Sequence, residues 1–467
     1  MRIAQLPKIK KSAGVKNLIF ALVGSGVNLL MKFISQRIFI ETLNVEYLGL
    51  NGVLTNVIAV LSIVELGINS AIIYNLYEPI KKKRWDTVKS LLSFYRRAYR
   101  IIAGATVLIG LIIMPFLHLI VQQEVGDVNI YIAYILVLAS SVVSYFLSYR
   151  QSIIYATENG RITTLVQMIG NVVLGLAQIL ILIATENYYA YLTVKIVVQL
   201  AENILLHGIA AEKFPIVKEK PARELEKSIR SDIYKKMRAL FTHKIAGFII
   251  NGTDNIIISI FLGLTTVGYY ANYQVIFGAI ESIFTHGLTA LTPTVGNILV
   301  DKDQKKNYET FRKVQRVNFI IAITTSLGAL LLVDTVIKIW VGDNYTLPSS
   351  VLVVLVVVHF QKMMRNSYLV FKEAAGIFHE DRWVPVAESL INIVASVVLV
   401  QVMGLAGVFV GTFLSSLALW CYSYPKYVYK RLFHRSYRQY AVETGMQFLI
   451  FAAAVAMVLI IKNMVGA

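Results

Sequence analysis

Polar side chains inside long apolar runs are the residues of this sequence whose types could do chemistry. Asn28, Lys32 and Gln36 follow one another at spacings of four residues, so they share one face of a helix. Asp254 and Asn255 stand side by side in a second such run. Similar interruptions of other runs complete the set with Arg37, Glu65, Asn69, Lys244, Glu281, Arg365, Glu388, Asn392 and Thr412. Ionisable groups in apolar segments usually face a cavity or a partner, so these residues are candidates for binding.

The composition indicates that the apolar surroundings are a lipid bilayer. Of the 467 residues, 57% are hydrophobic and only 15% are charged, whereas soluble domains carry roughly 45–50% and 25%. Because a transmembrane helix uses ~20 apolar residues, this supply suffices for about twelve or thirteen helices. The composition therefore excludes a multi-domain soluble enzyme. The single cysteine, Cys421, also excludes an intrachain disulfide and a zinc site built on several cysteines.

Thirteen apolar runs are long enough to cross a bilayer, so the sequence predicts an all-α polytopic membrane protein. The predicted spans lie near residues 17–39, 49–75, 100–121, 129–149, 163–184, 189–211, 241–262, 268–298, 315–340, 348–371, 384–403, 405–424 and 442–462.

Lysine and arginine are distributed unequally between the two ends of these spans. Alternate connections hold 39 of the 45 basic residues, at 1–16, 77–100, 149–161, 213–238, 302–316, 362–382 and 426–438. The intervening turns hold none, at 40–48, 122–128, 185–188, 263–267, 341–347 and 404. We call these ends the basic face and the short-turn face. Basic loops stay in the cytoplasm, so the amino terminus is predicted to be cytoplasmic in the cell membrane. The net charge of +18 then reflects topology and contact with anionic membrane lipids, not nucleic-acid binding.

The longest polar segment divides the chain into two similar halves. Residues 213–238 are predicted to be a cytoplasmic linker between an N-terminal six-helix lobe, residues 1–212, and a C-terminal six-helix lobe, residues 239–425. Residues 426–467 add a basic cytoplasmic segment and a thirteenth helix. Both lobes start on the same side, which is typical of a parallel repeat about an axis along the membrane normal. Weak self-similarity at a separation of about 220 residues supports this repeat, between 46–51 and 267–272.

Four basic residues inside the predicted spans could give a central cavity a positive lining. They are Lys32, Arg37, Lys244 and Arg365, and further polar groups come from Asn28, Glu65, Asn69 and Glu281. A cationic cavity favours an anionic passenger, and phosphate is the natural partner of lysine and arginine.

Other roles for some of these residues stay open. The asparagines could be hydrogen-bond partners between helices, worth ~0.6 kcal/mol each. Arg37 could extend to the outer interface of the membrane. Glu281 and His286 could form a buried pair.

Oxygen-bearing side chains form a second group in the C-terminal lobe. Its members are Asp254, Asn255, Glu388, Asn392 and Thr412. Such a set suits Na⁺ or a transported proton, because carboxylates inside membranes commonly act as relays. We expect no other metal and no cofactor, and no G-x-x-x-x-G-K-[ST] phosphate loop is present to bind ATP.

Several segments together resemble bacterial polysaccharide repeat-unit flippases of the Wzx type. The first runs from Leu50-Asn51-Gly52-Val53 to Glu65-Leu66-Gly67 and resembles their second helix. The others are Asn251-Gly252-Thr253-Asp254-Asn255 followed by Gly263 and Gly268-Tyr269-Tyr270, then Arg365 to Gly376, Asn392, and Gly404-Leu405-Ala406-Gly407-Val408 before Gly411-Thr412. No single motif is specific, but their order along nearly the whole chain is.

This resemblance implies membership of the multidrug/oligosaccharidyl-lipid/polysaccharide (MOP) superfamily. It implies two six-helix lobes in a V with a pseudo-twofold axis, and alternation between outward-open and inward-open forms. The implied passenger is an undecaprenyl-pyrophosphate-linked oligosaccharide for capsule or exopolysaccharide synthesis, with a polymerase and chain-length machinery as partners. Related lipid II flippases imply a Na⁺ site at Asp254, Glu388, Asn392 and Thr412. The thirteenth helix departs from a twelve-helix plan.

The main hypothesis is thus a flippase that is not an enzyme. The alternative is a cation-coupled multidrug antiporter of the same superfamily, which would favour an acidic, aromatic-lined cavity. A membrane enzyme such as a polysaccharide polymerase would need a structured outer loop with acid and base residues. The predicted outer turns contain at most nine residues and do not provide one.

Overall fold

Helices account for the regular structure in the part of the chain that is described. The structure, a computed structural model, describes residues 11–61, 68–145, 148–157, 159–219, 224–231, 233–234, 252–300, 303–377 and 380–465. No β-strand occurs in these ranges, and the predicted all-α polytopic fold is confirmed.

The helices follow one another with short connections. In chain order the α-helices are α1 (Lys11–Leu43), α2 (Val45–Leu61), α3 (Ile68–Lys81), α4 (Trp85–Ile113), α5 (Leu117–Ile120), α6 (Ile130–Tyr145), α7 (Gln151–Ala156), α8 (Gly160–Thr185), α9 (Tyr188–Lys213), α10 (Asp254–Leu262), α11 (Leu264–Thr289), α12 (Thr292–Val300), α13 (Gln304–Trp340), α14 (Ser349–Ala374), α15 (Val384–Met403), α16 (Leu405–Ala418) and α17 (Tyr437–Val465). Short 3₁₀ helices lie at Met114–Phe116, Ser148–Arg150, Pro215–Lys218 and Asp343–Tyr345, and a π-helix at Leu419–Leu432.

Many of these helices have the length and the apolar composition needed to cross a membrane. Within the described ranges, nine stretches are long and apolar enough, at Trp85–Ile120, Ile130–Ala156, Gly160–Thr185, Tyr188–Lys213, Leu264–Val300, Gln304–Trp340, Val384–Met403, Leu405–Leu432 and Tyr437–Met464. The shorter α2 is also apolar. The predicted runs coincide with helices wherever they are described, but residues 235–251, which hold the first half of the seventh run, lie outside the described residues. The chain is a multi-pass membrane protein.

Helix α17, which contains the thirteenth predicted span, is attached to the C-terminal lobe by aromatic and carboxylate contacts. Glu443 of α17 accepts hydrogen bonds from Tyr308 Oη at 2.7 Å and from Tyr429 Oη at 3.0 Å. In the middle of the helix, the Phe451 ring stacks on Phe360 with 3.8 Å between centroids. The first half of α17 therefore packs against α13, α14 and the π-helix.

The two lobes meet where α2 crosses α11 near the short-turn face. A Cβ atom placed on Gly49 would overlap the backbone carbonyl of Leu264, and one placed on Gly268 would overlap that of Val45. Small residues allow transmembrane helices to approach this closely. Val45 and Leu264 are 219 residues apart, as are Gly49 and Gly268, so the two contacts are equivalent under the repeat seen in the sequence.

Hydrogen bonds reinforce this junction between the lobes. Gln36 Nε2 donates to Asn272 Oδ1 (2.6 Å), Ser259 Oγ to the Ile120 carbonyl (2.7 Å), the Leu264 amide to Gln123 Oε1 (2.9 Å) and Trp340 Nε1 to the Phe33 carbonyl (3.0 Å). All of these residues lie in the parts of their helices nearer the short-turn face. The lobes are therefore closed against each other on that side.

The buried hydrophobic side chains form two clusters with different memberships. The larger cluster includes residues of both lobes, such as Leu50 and Tyr273. The smaller cluster runs from Ile72 to Ile233 along the basic face and, among the described residues, draws only on the N-terminal lobe and the linker. Among the described residues, the lobes thus share a core near the short-turn face, whereas toward the basic face the N-terminal lobe has a buried core of its own.

We expect Gly268→Val to lower the unfolding temperature of the protein. The valine would overlap the Val45 backbone, and overpacking of this kind costs about 1–3 kcal/mol. Thermal unfolding of the purified chain in detergent measures the loss. The control is Gly287→Val in the same helix, where an added Cβ meets nothing within 4 Å. Equal losses in both variants would contradict a close crossing at Gly268.

Candidate functional site

A polar cavity of about 410 Å³ lies within the N-terminal lobe. Its wall comes from α1, α2, α6, α8 and α9, and its polar lining consists of Asn28, Lys32, Ser35, Gln36, Asn51, Thr55, Ser140, Asn171, Gln178 and Lys195. The α1 face read from the sequence, Asn28, Lys32 and Gln36, therefore forms one wall of this cavity. We call it the lysine cavity.

Two lysines give the lysine cavity its charge. Lys32 is exposed on α1, and Lys195 is half-buried on α9. No acidic side chain lines the cavity, and neither lysine makes an ion pair within the described part of the chain. The Asn28 Oδ1 atom is buried and also lacks a hydrogen-bond partner there. An ammonium group without a counter-charge at this depth is costly unless an anion or water reaches it, so the cavity suits an anion.

A smaller cavity of about 220 Å³ lies within the C-terminal lobe. Asp254 of α10, Glu281 of α11, and His359 and Lys362 of α14 supply its charged and titratable groups. The rest of the lining is Tyr270, Gln274, Phe277, Gly278, Leu355, Val358, Phe409 and Thr412. We call it the aspartate cavity.

Asp254 is the least satisfied group in the aspartate cavity. Its side chain is 8% exposed, and its Oδ1 atom has no hydrogen-bond partner among the described residues. A buried carboxylate oxygen without a donor is available to a proton or a cation. The described residues contain no group of three His, Cys, Asp or Glu side chains that could hold a metal ion.

Glu281 has a partner other than the one considered from the sequence. Its Oε1 atom lies 3.2 Å from Nδ1 of His359, whose Nε2 lies 3.3 Å from Thr325 Oγ1. His359 is only 1% exposed, whereas His286 is exposed on the surface of α11. The proposed Glu281–His286 pair is therefore wrong, because the rotation of α11 turns His286 away from the side that carries Glu281.

Arg365 and Glu388 form one buried ion pair. Arg365 Nη1 and Nη2 donate to the two carboxylate oxygens of Glu388 at 2.8 Å and 3.3 Å. The side chains are 22% and 2% exposed. The sequence predicts a phosphate ligand and a cation ligand at these positions, but each charge is already neutralised by the other. This pairing corrects both predictions for the structure described here.

The remaining members of the predicted ion site are divided between two places. Asn392 Nδ2 donates to Thr412 Oγ1 at 3.1 Å, and Thr412 lines the aspartate cavity. Asn255 is 3% exposed but does not line that cavity; its amide nitrogen lies 3.6 Å from a Cβ placed on Gly52 of the other lobe. Asp254 and Thr412 therefore share the cavity, with Asn392 behind Thr412, while Asn255 belongs to the junction between the lobes.

Several predicted substrate residues do not contribute to the lysine cavity. Arg37 donates from Nε to Glu41 at 2.8 Å, and both side chains are more than half exposed. This position agrees with the alternative that Arg37 extends to the outer interface. Glu65 and Lys244 lie outside the described residues, as does the side chain of Asn69, so their roles stay predictions.

Lys195 is a cavity residue that is not among those predicted from the sequence. It lies in the first third of the sixth predicted span, so it meets the criterion that selects Lys32. Gln199 and Asn203 follow it at spacings of four residues, so a polar helical face could have marked it. Lys195 lines the cavity because α9 places it opposite the polar face of α1.

A protein-family model described as "Polysaccharide biosynthesis protein" matches residues 42–350, about two thirds of the chain. The chain belongs to this family. The predicted resemblance to polysaccharide repeat-unit flippases is thereby confirmed at the level of the family. No curated protein sequence matches this member of the polysaccharide biosynthesis family.

Solved structures show that this family member has the fold of MOP-superfamily transporters. Lipid II flippase MurJ in an inward closed conformation matches with a TM-score of 0.66 and 13% identity, covering 96% of this chain and 100% of MurJ. An inward-facing multidrug resistance MATE family transporter matches with 0.62 and 13%, covering 92% and 96%. An outward-facing conformation of a MATE family transporter matches with only 0.52 and 15%, covering 85% and 90%.

We expect Arg365→Met to destabilise the protein by about 3–5 kcal/mol, because it leaves the Glu388 carboxylate buried without its counter-charge. The double variant Arg365→Met/Glu388→Leu should unfold close to the wild-type temperature, since it buries no charge at all. Unfolding of the purified chains in detergent compares Arg365→Met, Glu388→Leu and the double variant with the wild type. A double variant that loses at least the sum of the two single losses would show that these residues stabilise the protein independently.

Proposed function

We propose that this protein moves an undecaprenyl-pyrophosphate-linked oligosaccharide across the cell membrane by alternating access. The product would serve capsule or exopolysaccharide synthesis, with a polymerase and chain-length machinery acting after it. The observation that carries the proposal is the lysine cavity: Lys32 and Lys195, without counter-charges, among amides and hydroxyls inside a membrane domain. Membership of the polysaccharide biosynthesis family supports the proposal.

The lining of the lysine cavity suits both parts of such a headgroup. Ammonium groups make charge-assisted hydrogen bonds to phosphate oxygens, which are about twice as strong as neutral ones. Asn28, Asn171 and Gln178 line the cavity with amide groups, each of which can donate and accept hydrogen bonds. Sugar hydroxyls can do the same, so they can pair with either kind of atom. The polyprenyl tail would stay in lipid through the gap between the lobes. In this scheme the protein binds the headgroup and leaves the tail to the bilayer.

The difference between the two faces of the molecule supports a route for the headgroup. The distribution of lysine and arginine predicts that the basic face is cytoplasmic, and the N-terminal lobe has a separate buried core toward that face. Passage to the other side requires the crossing at Gly49 and Gly268 to separate. A few hydrogen bonds between helices, worth ~0.6 kcal/mol each in membranes, are a small barrier to that separation. The junction is therefore suited to opening and closing.

We infer that Asp254 couples this movement to Na⁺ or protons. Its free oxygen lines a cavity in the lobe opposite the lysines, so loading of the ion and of the passenger would act on different lobes. A cation or proton at Asp254 would change the charge of a buried carboxylate that lacks a hydrogen-bond donor on Oδ1. Changes in that charge would alter the relative stability of the open and closed forms.

A second candidate is a cation-coupled multidrug antiporter. The observation in its favour is the aspartate cavity, where Asp254 and Glu281 lie among Tyr270, Phe277 and Phe409. An acidic, aromatic-lined cavity suits an organic cation. Uptake of a cationic dye by vesicles containing the purified protein, with no movement of lipid-linked oligosaccharide, would favour this candidate.

We expect Lys32→Gln and Lys195→Gln each to reduce oligosaccharide transport about tenfold or more. Loss of a hydrogen bond to a charged group costs about 1.5–3 kcal/mol, and each 1.4 kcal/mol is a factor of ten. Vesicles containing purified protein and the lipid-linked oligosaccharide measure the rate, and surface polysaccharide measures it in cells.

Arg37→Gln is the matched control for these lysine variants, because it removes a charge from the same helix but outside the cavity. We expect it to transport at the wild-type rate. Wild-type rates in both lysine variants, at equal amounts of protein in the membrane, would refute the lysine cavity as the headgroup site.

We expect Asp254→Asn to abolish the response of transport to Na⁺ or pH gradients, because the amide cannot exchange a charge. The control is Asp334→Asn, another carboxylate within a spanning helix, which accepts a hydrogen bond from Tyr273 at 2.6 Å and lines neither cavity. Rates are compared in vesicles with and without each gradient. An unchanged gradient response in Asp254→Asn would remove Asp254 from the coupling step.

A further inference from the structure

A third cavity of about 440 Å³ lies in the N-terminal lobe, separate from the lysine cavity and the aspartate cavity. It is lined by Arg96, Tyr99, Arg100 and Ala103 of α4, Tyr145 of α6, Tyr149 and Arg150 after α6, and His207 of α9. None of these residues lines the lysine cavity. The three arginines belong to connections 77–100 and 149–161, so the cavity lies at the level of the basic face. We call it the arginine cavity.

The arginine cavity carries three positive charges and no negative one. Its lining contains no Asp or Glu, and Arg96, Arg100 and Arg150 form no ion pair within the described part of the chain. The neighbouring Arg97 differs, since it lies 3.8 Å from Glu224. Like charges held together repel one another, and the repulsion grows in the low dielectric of the membrane interface. The cluster is stabilised when an anion lies between the guanidinium groups.

Arg150 is held in place by its neighbours. Its Nε donates to Tyr149 Oη at 3.1 Å, and its Nη1 lies 2.6 Å from His207 Nε2. A guanidinium group only donates, so His207 Nε2 accepts and its proton lies on Nδ1. That Nδ1 atom is buried with no partner among the described residues. His207 therefore contributes an unused donor and no compensating charge.

Tyr149 lies between two of the cations. Its ring centroid is 6.0 Å from Arg96 Cζ and 5.7 Å from Arg150 Cζ. Arginine held against an aromatic ring is pre-organised, and its planar fork matches the geometry of a phosphate group. The ligand class that these groups recognise is therefore a phosphate ester.

The surroundings of the arginine cavity are apolar and exposed. Ile101, next to Arg100, is 71% exposed, and Ile204, one helical turn from His207, is 55% exposed. On a spanning helix such side chains face lipid tails. A phosphate ester with acyl chains could place its headgroup among the arginines and its chains along this surface.

We propose that the arginine cavity is a binding site for an anionic phospholipid of the leaflet at the basic face. The lipid joins α4, the segment after α6, and α9 at the end of the N-terminal lobe that has its own separate core. It binds there independently of the passenger of the transporter.

Lipid binding to the purified full chain tests this proposal. Phosphatidylglycerol is titrated into the detergent-solubilised protein, with phosphatidylcholine of the same acyl chains and inorganic phosphate in parallel. Native mass spectrometry counts bound lipids, and the unfolding temperature reports stabilisation. We expect phosphatidylglycerol to bind at least tenfold more tightly than phosphatidylcholine, and inorganic phosphate to stabilise the protein far less.

The variant Arg96→Gln/Arg150→Gln should lose the preference for phosphatidylglycerol about tenfold, and Arg97→Gln should keep it within twofold. If the double variant Arg96→Gln/Arg150→Gln does not fold, Arg96→Gln/Arg100→Gln replaces it in the same test, because both of its substituted side chains are exposed. An equal loss of this preference in Arg97→Gln would show that it comes from general surface charge, and it would contradict the proposed site. Equal binding of the two lipids, or equal stabilisation by inorganic phosphate, would also overturn it.

Discussion

An ion inside a bilayer must meet a counter-charge or face a cavity, and this constraint organises the described part of the protein. The described charges fall into two classes. The paired class is Arg365 with Glu388, Lys372 with Asp381, and His359 with Glu281. Lys32, Lys195 and Asp254 have no such partner and line cavities. The paired groups stabilise the packing of helices in the C-terminal lobe. The unpaired groups remain available to bind a ligand.

The cavities of the two lobes carry different charges. Lys32 and Lys195 line the cavity of the N-terminal lobe, whereas that of the C-terminal lobe holds the carboxylates Asp254 and Glu281 together with Lys362. The junction between the lobes lies at the short-turn face, where Gly49 and Gly268 make equivalent contacts. Among the described residues, this junction is where the two lobes contact each other. The same few contacts therefore hold the lobes together at that face and would have to break in the proposed transport cycle.

The candidate site shows where prediction from the sequence succeeds and where it stops. Spacing alone places Asn28, Lys32 and Gln36 on one face, because a helix repeats every 3.6 residues. Spacing does not show that Arg365 and Glu388, on different helices, neutralise each other. It also does not distinguish His286 from His359 as the partner of Glu281, since that choice depends on how α11 is rotated against α14. Lys195 shares a helix face with Gln199 and Asn203, but spacing alone does not show that this part of α9 is turned toward α1.

The sequence by itself determined the membrane class, the positions of the apolar helices, the sidedness predicted from lysine and arginine, and the polar residues worth attention. These are properties of single segments, because the free energy of insertion is close to a sum over the residues of each helix. Only the tertiary structure decided which charges are paired, which face is closed, and where α17 attaches. Those outcomes depend on contacts between residues hundreds of positions apart, each worth a fraction of a kcal/mol, and so on the rotation and close packing of whole helices.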